Sequence, residues 1–277
     1  MASFSTTTAA VFLPTIWAKM ALLARERVLV MGKRVLRYDA ELREGGNLVN
    51  IPQVQNLTTN AVAADGSYTP QAPTENKYQI NVNRWREASI SVPDLVAVQA
   101  SYPLLELYTR KIGYALGLDV ETQLLGLYSS VANSAGTAGV ALTDDVLLNA
   151  IQLLDQNDNP LEDRTMIFLP KSKRSLMKID KFALAYLTGL GKGAQITGLF
   201  GEIYGIPIFF SNNVTSSGGD QNLIFHKEAF ALAIQIDVKI EKFRLKLADD
   251  VAGHILYGTL NVRNDAIMGV AACTVLT

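Results

Sequence analysis

The stretch that most restricts what this chain can fold into is residues 47–131, where a long two-stranded ribbon with a polar tip runs into a very long helix. Residues 47–55 lead out and residues 77–92 return. On the return, Tyr78, Ile80, Val82, Ala88, Ile90 and Val92 all sit at even positions, the period-2 pattern of a strand with one buried face. Pro52 marks an edge, since it cannot donate to a ladder. Between the strands lies LTTNAVAADGSYTPQAPTEN, residues 57–76, which carries Asp65 and Glu75 but no Lys or Arg. Loops of that length in a compact domain are functional or disordered. A lone two-stranded ribbon is marginally stable in water, and no neighbouring segment offers an obvious cover. The ribbon is therefore expected to lie on another molecule, which predicts an assembling subunit rather than a self-contained enzyme.

The helix is predicted over residues 94–130, with Asp94 as its cap and Pro103 as a kink or restart. Leu105, Tyr108, Ile112, Leu116, Val120, Leu124 and Leu127 form a drifting apolar stripe. From Leu104 onward, about 27 residues at 1.5 Å rise make a rod roughly 40 Å long. Gly113 and Gly117 form a GxxxG pair that suits close packing of the helix on a sheet.

Ahead of the ribbon, residues 1–12 are rich in Ser, Thr and Ala, and Pro14 opens a second predicted helix. Trp17, Met20, Ala21, Ala24, Val28 and Met31 recur at helical spacing, opposite Lys19, Arg25, Arg27, Lys33 and Arg34. Such a basic amphipathic helix lies on a membrane, on nucleic acid or on a neighbouring subunit, or is simply solvated. The apolar run 9–24 is interrupted by Pro14 and Lys19 and is too short to span a bilayer. No secretory signal is evident in MASFSTTTAA.

After the long helix, residues 132–141 read as a linker and domain boundary. Thr143 caps a helix to about residue 155, a buried strand follows at 166–169, and a further helix spans about 172–187. The glycine-rich segment 188–205 reads as a mobile loop. Strands are expected at 206–211, 223–226, 229–236, 238–247, 254–262 and 266–275, with a bulge where apolar parity flips between Ile240 and Phe243.

The 277 residues suffice for one large domain or two modest ones with a sizeable core. Only 18% are charged, against roughly 25% in typical soluble domains. Either the core is large or much of the surface is buried between subunits, and the ribbon favours the second. A net charge of -1 excludes a strongly basic nucleic-acid binder. The single cysteine, Cys273, forbids an internal disulfide and reads as a small buried hydrophobe.

Catalytic patterns fail on inspection. Gly191-Lys192 is followed by Gly193, so no phosphate-binding P-loop exists there. One cysteine and two separated histidines, His226 and His254, cannot make a zinc site from Cys and His alone. No G-x-S-x-G elbow accompanies them. No catalytic, cofactor-binding or metal site is assigned, and the chain is read as a non-enzyme.

The order of segments resembles the major capsid proteins of tailed double-stranded DNA bacteriophages, which share the Hong Kong 97 fold. NDNPLEDRTMIFLP is similar to the opening of that family's axial domain, GEIYGIPIFFSNNV to its Gly-x-Pro strand, and NLIFHKEAFALA with the final strands to its return through the peripheral domain. The resemblance implies an α+β capsid fold. Its parts would be an N-terminal arm over 1–45, an extended loop over 46–93, a peripheral domain with the spine helix over 94–135, an axial domain over 136–235 and return strands of the peripheral domain over 236–277. It implies a structural protein of the virion, assembled in the host bacterial cytoplasm, whose copies form hexamers and pentamers of an icosahedral shell around double-stranded DNA. Portal and scaffolding proteins are the implied partners, with a cement protein as an optional decoration and no membrane. Some members crosslink neighbours through a loop lysine. The tip here has none, so a noncovalent shell is expected. Subunit-contact candidates are Trp17, Met20, Tyr68, Trp85, Tyr108 and Ile112; candidates for nonspecific contact with DNA are Lys19, Arg25, Arg27, Lys33 and Arg34. The alternatives are an encapsulin-like compartment with the same fold, and a soluble enzyme with a membrane-associated N-terminal helix.

Overall fold

A computed structural model describes residues 26–42, 45–62, 64, 66, 70–72, 76–94, 104–179, 201–265 and 268–277. Trp17, Met20, Lys19, Arg25, Tyr68, the predicted N-terminal helix up to residue 25, Pro103 and most of the glycine-rich segment lie outside these residues.

Among the described residues, the strands make three sheets. The first, of four strands, has the order β1 (Leu36–Arg37), β10 (Phe230–Leu245), β11 (Ala248–Asn261), β4 (Arg84–Pro93). The second, of six, has the order β5 (Asn133–Gly136), β12 (Ala272–Leu276), β9 (Gln221–His226), β6 (Arg164–Phe168), β8 (Ile206–Phe210), β7 (Glu202–Ile203). The third is the ribbon β2 (Leu48–Gln53) with β3 (Asn76–Asn81). Helix α1 (Leu104–Gly126) lies along the four-stranded sheet and ends in a 3-10 turn, Leu127–Ser130. Helix α2 (Asp144–Asp155) begins as expected at Thr143, whose hydroxyl accepts from the Val146 N–H, and packs on the six-stranded sheet. Helix α3 (Pro170–Leu176) starts with proline in its first turn.

The six-stranded sheet is covered on both faces, which explains the consecutive apolar residues 166–168 and 223–225 in its central strands. Ile167, Leu223 and Phe225 join a core with Leu116 and Leu124 of α1 and Ile255 and Tyr257 of β11. Their neighbours Met166, Phe168 and Ile224 point the other way, into a core with Leu147, Ala150 and Leu154 of α2. All five residues of β6 and all six of β9 are buried. Phe225 and Phe230 meet edge to face at 5.3 Å between ring centroids, tying the two large sheets together.

The ribbon departs from expectation. The returning segment is two strands, because the chain leaves the ribbon at residues 82–83, and β4 then pairs antiparallel along β11 from Arg84↔Tyr257 to Pro93↔Ala248. The base of the ribbon also rests on its own chain: Val49, Ile80 and Val82 pack with Leu42, Ala231, Ala233 and Val262. Small side chains make this seat. A Cβ at Gly258 would stand 2.4 Å from the carbonyl oxygen of Asn81, so only glycine lets β11 approach the ribbon that closely. The Tyr78 hydroxyl also donates to Asp265. The expectation that the ribbon finds cover only on another molecule is therefore corrected for 48–53 and 76–93. Past β2, Val54, Leu57 and Val62 are exposed.

Four further corrections concern boundaries. Residues 26–30 are not helical, 31–33 form one 3-10 turn and 36–37 pair parallel with β10, so the helical spacing of Val28 and Met31 misleads. The segment taken as a linker contains β5, paired parallel with β12 from Asn133↔Cys273 onward. The two strands predicted over 229–247 are one strand, with its register shifts between Ile234 and Ile236 and between Ile236 and Lys239 rather than at Ile240. The last strand joins the six-stranded sheet, apart from the return strands β10 and β11 with which it was grouped.

Candidate assembly interface

Among the described residues, exposed apolar side chains gather on two surfaces that bear on assembly. Beyond the ribbon, Val54, Leu57 and Val62 are largely exposed, with Val54 at 81%. On the four-stranded sheet, Trp85 of β4 is 72% exposed, and Phe243 and Leu247 at the far end of the β10–β11 hairpin are also exposed. Trp85 and His254 meet edge to face, 6.5 Å between ring centroids. Strand β4 is the sheet's edge, and its burial alternates as expected, with Val92 inward and Ser89 and Ser91 outward. An unprotected edge flanked by exposed apolar side chains is a template for another chain.

Behind this surface, α1 packs directly on the sheet. A Cβ on Gly253 would stand 2.5 Å from Ile112 Cγ2, so the helix and β11 are in direct contact there. Ile112 is therefore a core residue of its own chain, and its selection as a subunit contact is corrected. It belongs to the same apolar stripe as Tyr108, but only Tyr108 emerges from the sheet, at 43% exposure. Gly113 faces Ile240 as the GxxxG pair suggests, whereas Gly117 faces Leu29 of the N-terminal segment. The buried Tyr257 hydroxyl donates to Asp119 at 2.5 Å. Burial first, and this hydrogen bond second, push the tyrosine pKa well above its ordinary value. Asp119 also pairs with Arg86 of β4 at 3.5 Å.

The N-terminal segment is strapped across both large sheets. Glu121 of α1, 2% exposed, accepts from the N–H groups of Val30 at 2.7 Å, Met31 at 2.9 Å and Gly32 at 3.2 Å. Three main-chain donors thus meet one buried carboxylate, a strong charge-assisted arrangement. From the other side, Ser211 Oγ and Asn213 Nδ2 each donate to the Val28 carbonyl at 3.2 Å. Arg27 donates its N–H to the Tyr114 hydroxyl at 2.7 Å and a guanidinium N–H to the Asn212 carbonyl at 3.3 Å. Arg34 lies 3.5 Å over the Phe209 ring. Of the described DNA-contact candidates, Arg27 and Arg34 are therefore engaged with their own chain, and Lys33 is exposed. Sequence reasoning passed over Glu121. Its signal was an acidic residue beside the apolar stripe, four positions after Gly117, on a helix face too crowded for solvent.

Cys273 is fully buried, and burial pushes its thiol pKa up to about 12. His226 is buried at the end of β9, and burial holds its pKa below the ordinary value. Among the described residues, no three His, Cys, Asp or Glu side chains are grouped to hold a metal ion, and no helix is long and apolar enough to cross a membrane.

Residues 75–251 match the family model described as phage capsid protein. The chain belongs to this family. It is a structural, non-enzymatic component of the virion capsid. No curated protein sequence matches it. Solved structures show what fold this family member takes. A structure from Mycobacterium phage Che8 is similar over 95% of this chain and 97% of its own, with 22% identity and a TM-score of 0.81. The capsid structure of cyanophage P-SCSP1u is similar over 97% and 94%, with 17% identity and a TM-score of 0.79. The asymmetric unit of the mature capsid of bacteriophage PhiM1 is similar over 95% and 91%, with 12% identity and a TM-score of 0.77. The capsid protein thus has the mixed α+β fold of Hong Kong 97-type capsid structures.

Proposed function

We propose that this capsid protein assembles into hexamers and pentamers that close an icosahedral shell around double-stranded DNA, with the segment between β2 and β3 laid on the adjacent subunit. One observation carries the reading. Val54, Leu57 and Val62 extend exposed apolar surface past the point where the chain covers its own ribbon. Rotationally repeated contact of this kind closes rings. The α1–β4–β10–β11 layer would form the peripheral domain and the six-stranded sheet with α2 and α3 the axial domain. Strands β5 and β12 would then belong to the axial domain, so the axial unit begins at about residue 133 and the return strands end near 261. The extended loop narrows to about residues 47–82. The N-terminal arm would run to about residue 45. Trp85 and Tyr108 are the described contact candidates that remain.

Residues 54–76 hold no lysine, so the shell is held by noncovalent contacts. Many apolar contacts per subunit suffice, since obligate interfaces bury upwards of about 2,000 Å². Scaffolding and portal proteins would act in assembly, and a cement protein could sit on the outer surface. Negative-stain microscopy of the purified full chain tests the reading. Closed particles or rings of five and six subunits are expected; a protein that stays monomeric at every concentration, alone and with its scaffold, would overturn it.

A further inference from the structure

We infer that the pocket between residues 33–34 and the start of β6 is a binding site for an oxyanion of the phosphate class. The pocket has a volume of about 290 Å³, and Lys33, Arg34, Glu162, Asp163, Arg164 and Lys227 are among the residues that line it. Four cations and two carboxylates leave the wall with a net charge of two positive. Three separate segments bring these groups together. The strap carries residues 33 and 34. Strand β6 begins at Arg164, paired with His226 at the end of β9. Lys227 follows at once, with its N–H donated to the Asp163 carbonyl at 3.1 Å.

The cations do not neutralise the carboxylates beside them. Arg164 pairs at 2.7 Å with Asp155, which does not line the pocket, and donates to the Pro160 and Asn159 carbonyls. Among the described residues, Lys33, Arg34 and Lys227 form no ion pair. Arg34 Nε and Arg164 Nη1 are buried without a hydrogen-bond partner. The guanidinium plane of Arg34 is fixed by Phe209, so it is presented to the pocket in one orientation. Burial lowers the Arg34 pKa. Buried charge left unpaired is unfavourable. A multivalent oxyanion in the pocket would pair with Arg34, accept from the free Nη1 of Arg164 and bridge the two lysines. Guanidinium and ammonium donors together suit phosphate. Glu162 and Asp163 temper the field without reversing it. The site is local, because the whole chain carries a net charge of only -1.

Free phosphate and the phosphodiester of nucleic acid share this chemistry. The test uses the full chain and a Lys33→Gln, Lys227→Gln double variant, both lysines being exposed and outside the core. Isothermal titration with inorganic phosphate, at ionic strength matched with chloride, is expected to show saturable binding to the parent protein. The double variant should bind on the order of tenfold more weakly. Equal binding by the two proteins, or no saturable binding by the parent, would overturn the site. A short oligothymidylate that displaces phosphate assigns the site to nucleic acid, whereas failure to displace it assigns the site to the free ion. The inference does not depend on the shell reading. Particle formation by the double variant, scored separately by microscopy, reports on assembly and not on the pocket.

Discussion

Strands β9 and β4 show two ways of using an apolar pattern. All six residues of β9 are buried, between α2 on one side and the core shared with α1 on the other. In β4 only Val92 is buried, and among the described residues the strand ends its sheet with an unpaired edge beside the exposed Trp85. Both faces of the six-stranded sheet are covered by its own chain. The edge of the four-stranded sheet and the segment beyond the ribbon leave apolar area in water, and such area becomes favourable only when a second molecule covers it. Burial on both faces and exposed apolar area are thus assigned to different sheets, joined by α1 and by the strap pinned on Glu121.

The widest test of this contrast removes the incomplete part. Deleting residues 58–75 should leave a folded, soluble subunit and abolish closed shells, read by far-UV circular dichroism and sedimentation velocity; normal shells would show that the segment has no part in assembly. The converse change attacks the completed sheet. Phe225→Ala removes a fully buried ring that links both large sheets and should lower unfolding stability by about 3–5 kcal/mol. The readout is denaturant unfolding, with Cys273 as a second reporter. Its thiol, with a pKa near 12, should resist a thiol reagent at pH 8 until the sheet opens.

A smaller effect is expected where the two regions are strapped together. Glu121→Ala leaves the N–H groups of Val30, Met31 and Gly32 without their acceptor and should cost about 1–3 kcal/mol. Hydrogen exchange should speed up at residues 30–32 while β9 stays protected; uniform acceleration would mean that the strap is part of the global core. The smallest effect on the subunit belongs to Trp85→Ala. At 72% exposure its loss should change unfolding stability by less than about 0.5 kcal/mol. The same variant should raise the protein concentration needed for assembly, and an unchanged threshold would remove Trp85 from the interface.

Local pattern foretold a good deal. Period 2 located β3 and β4, the helical stripe located α1, and Thr143 located the start of α2, because each signal lies within a few residues and reports the side of an element that must be apolar. Charge and motif spacing disfavoured catalysis for similar reasons. Periodicity failed where an element's partner is distant in sequence. Val28 and Met31 sit at helical spacing, yet the chain there runs as a strap, since Glu121 and Asn213 capture its main chain. The strand β5 hides in a Gly- and Ala-rich stretch because its partner is the last strand of the chain.

The sequence by itself determined that a long amphipathic helix follows an edge ribbon with a lysine-free tip. Tertiary structure decided which apolar faces are satisfied internally. Ile112 and Tyr108 lie four residues apart on one stripe, but the helix meets the sheet at Gly253 and buries only the first. Whether an apolar face is core or interface depends on what lies opposite it, and that is a property of chain packing over long separations, which no local pattern encodes.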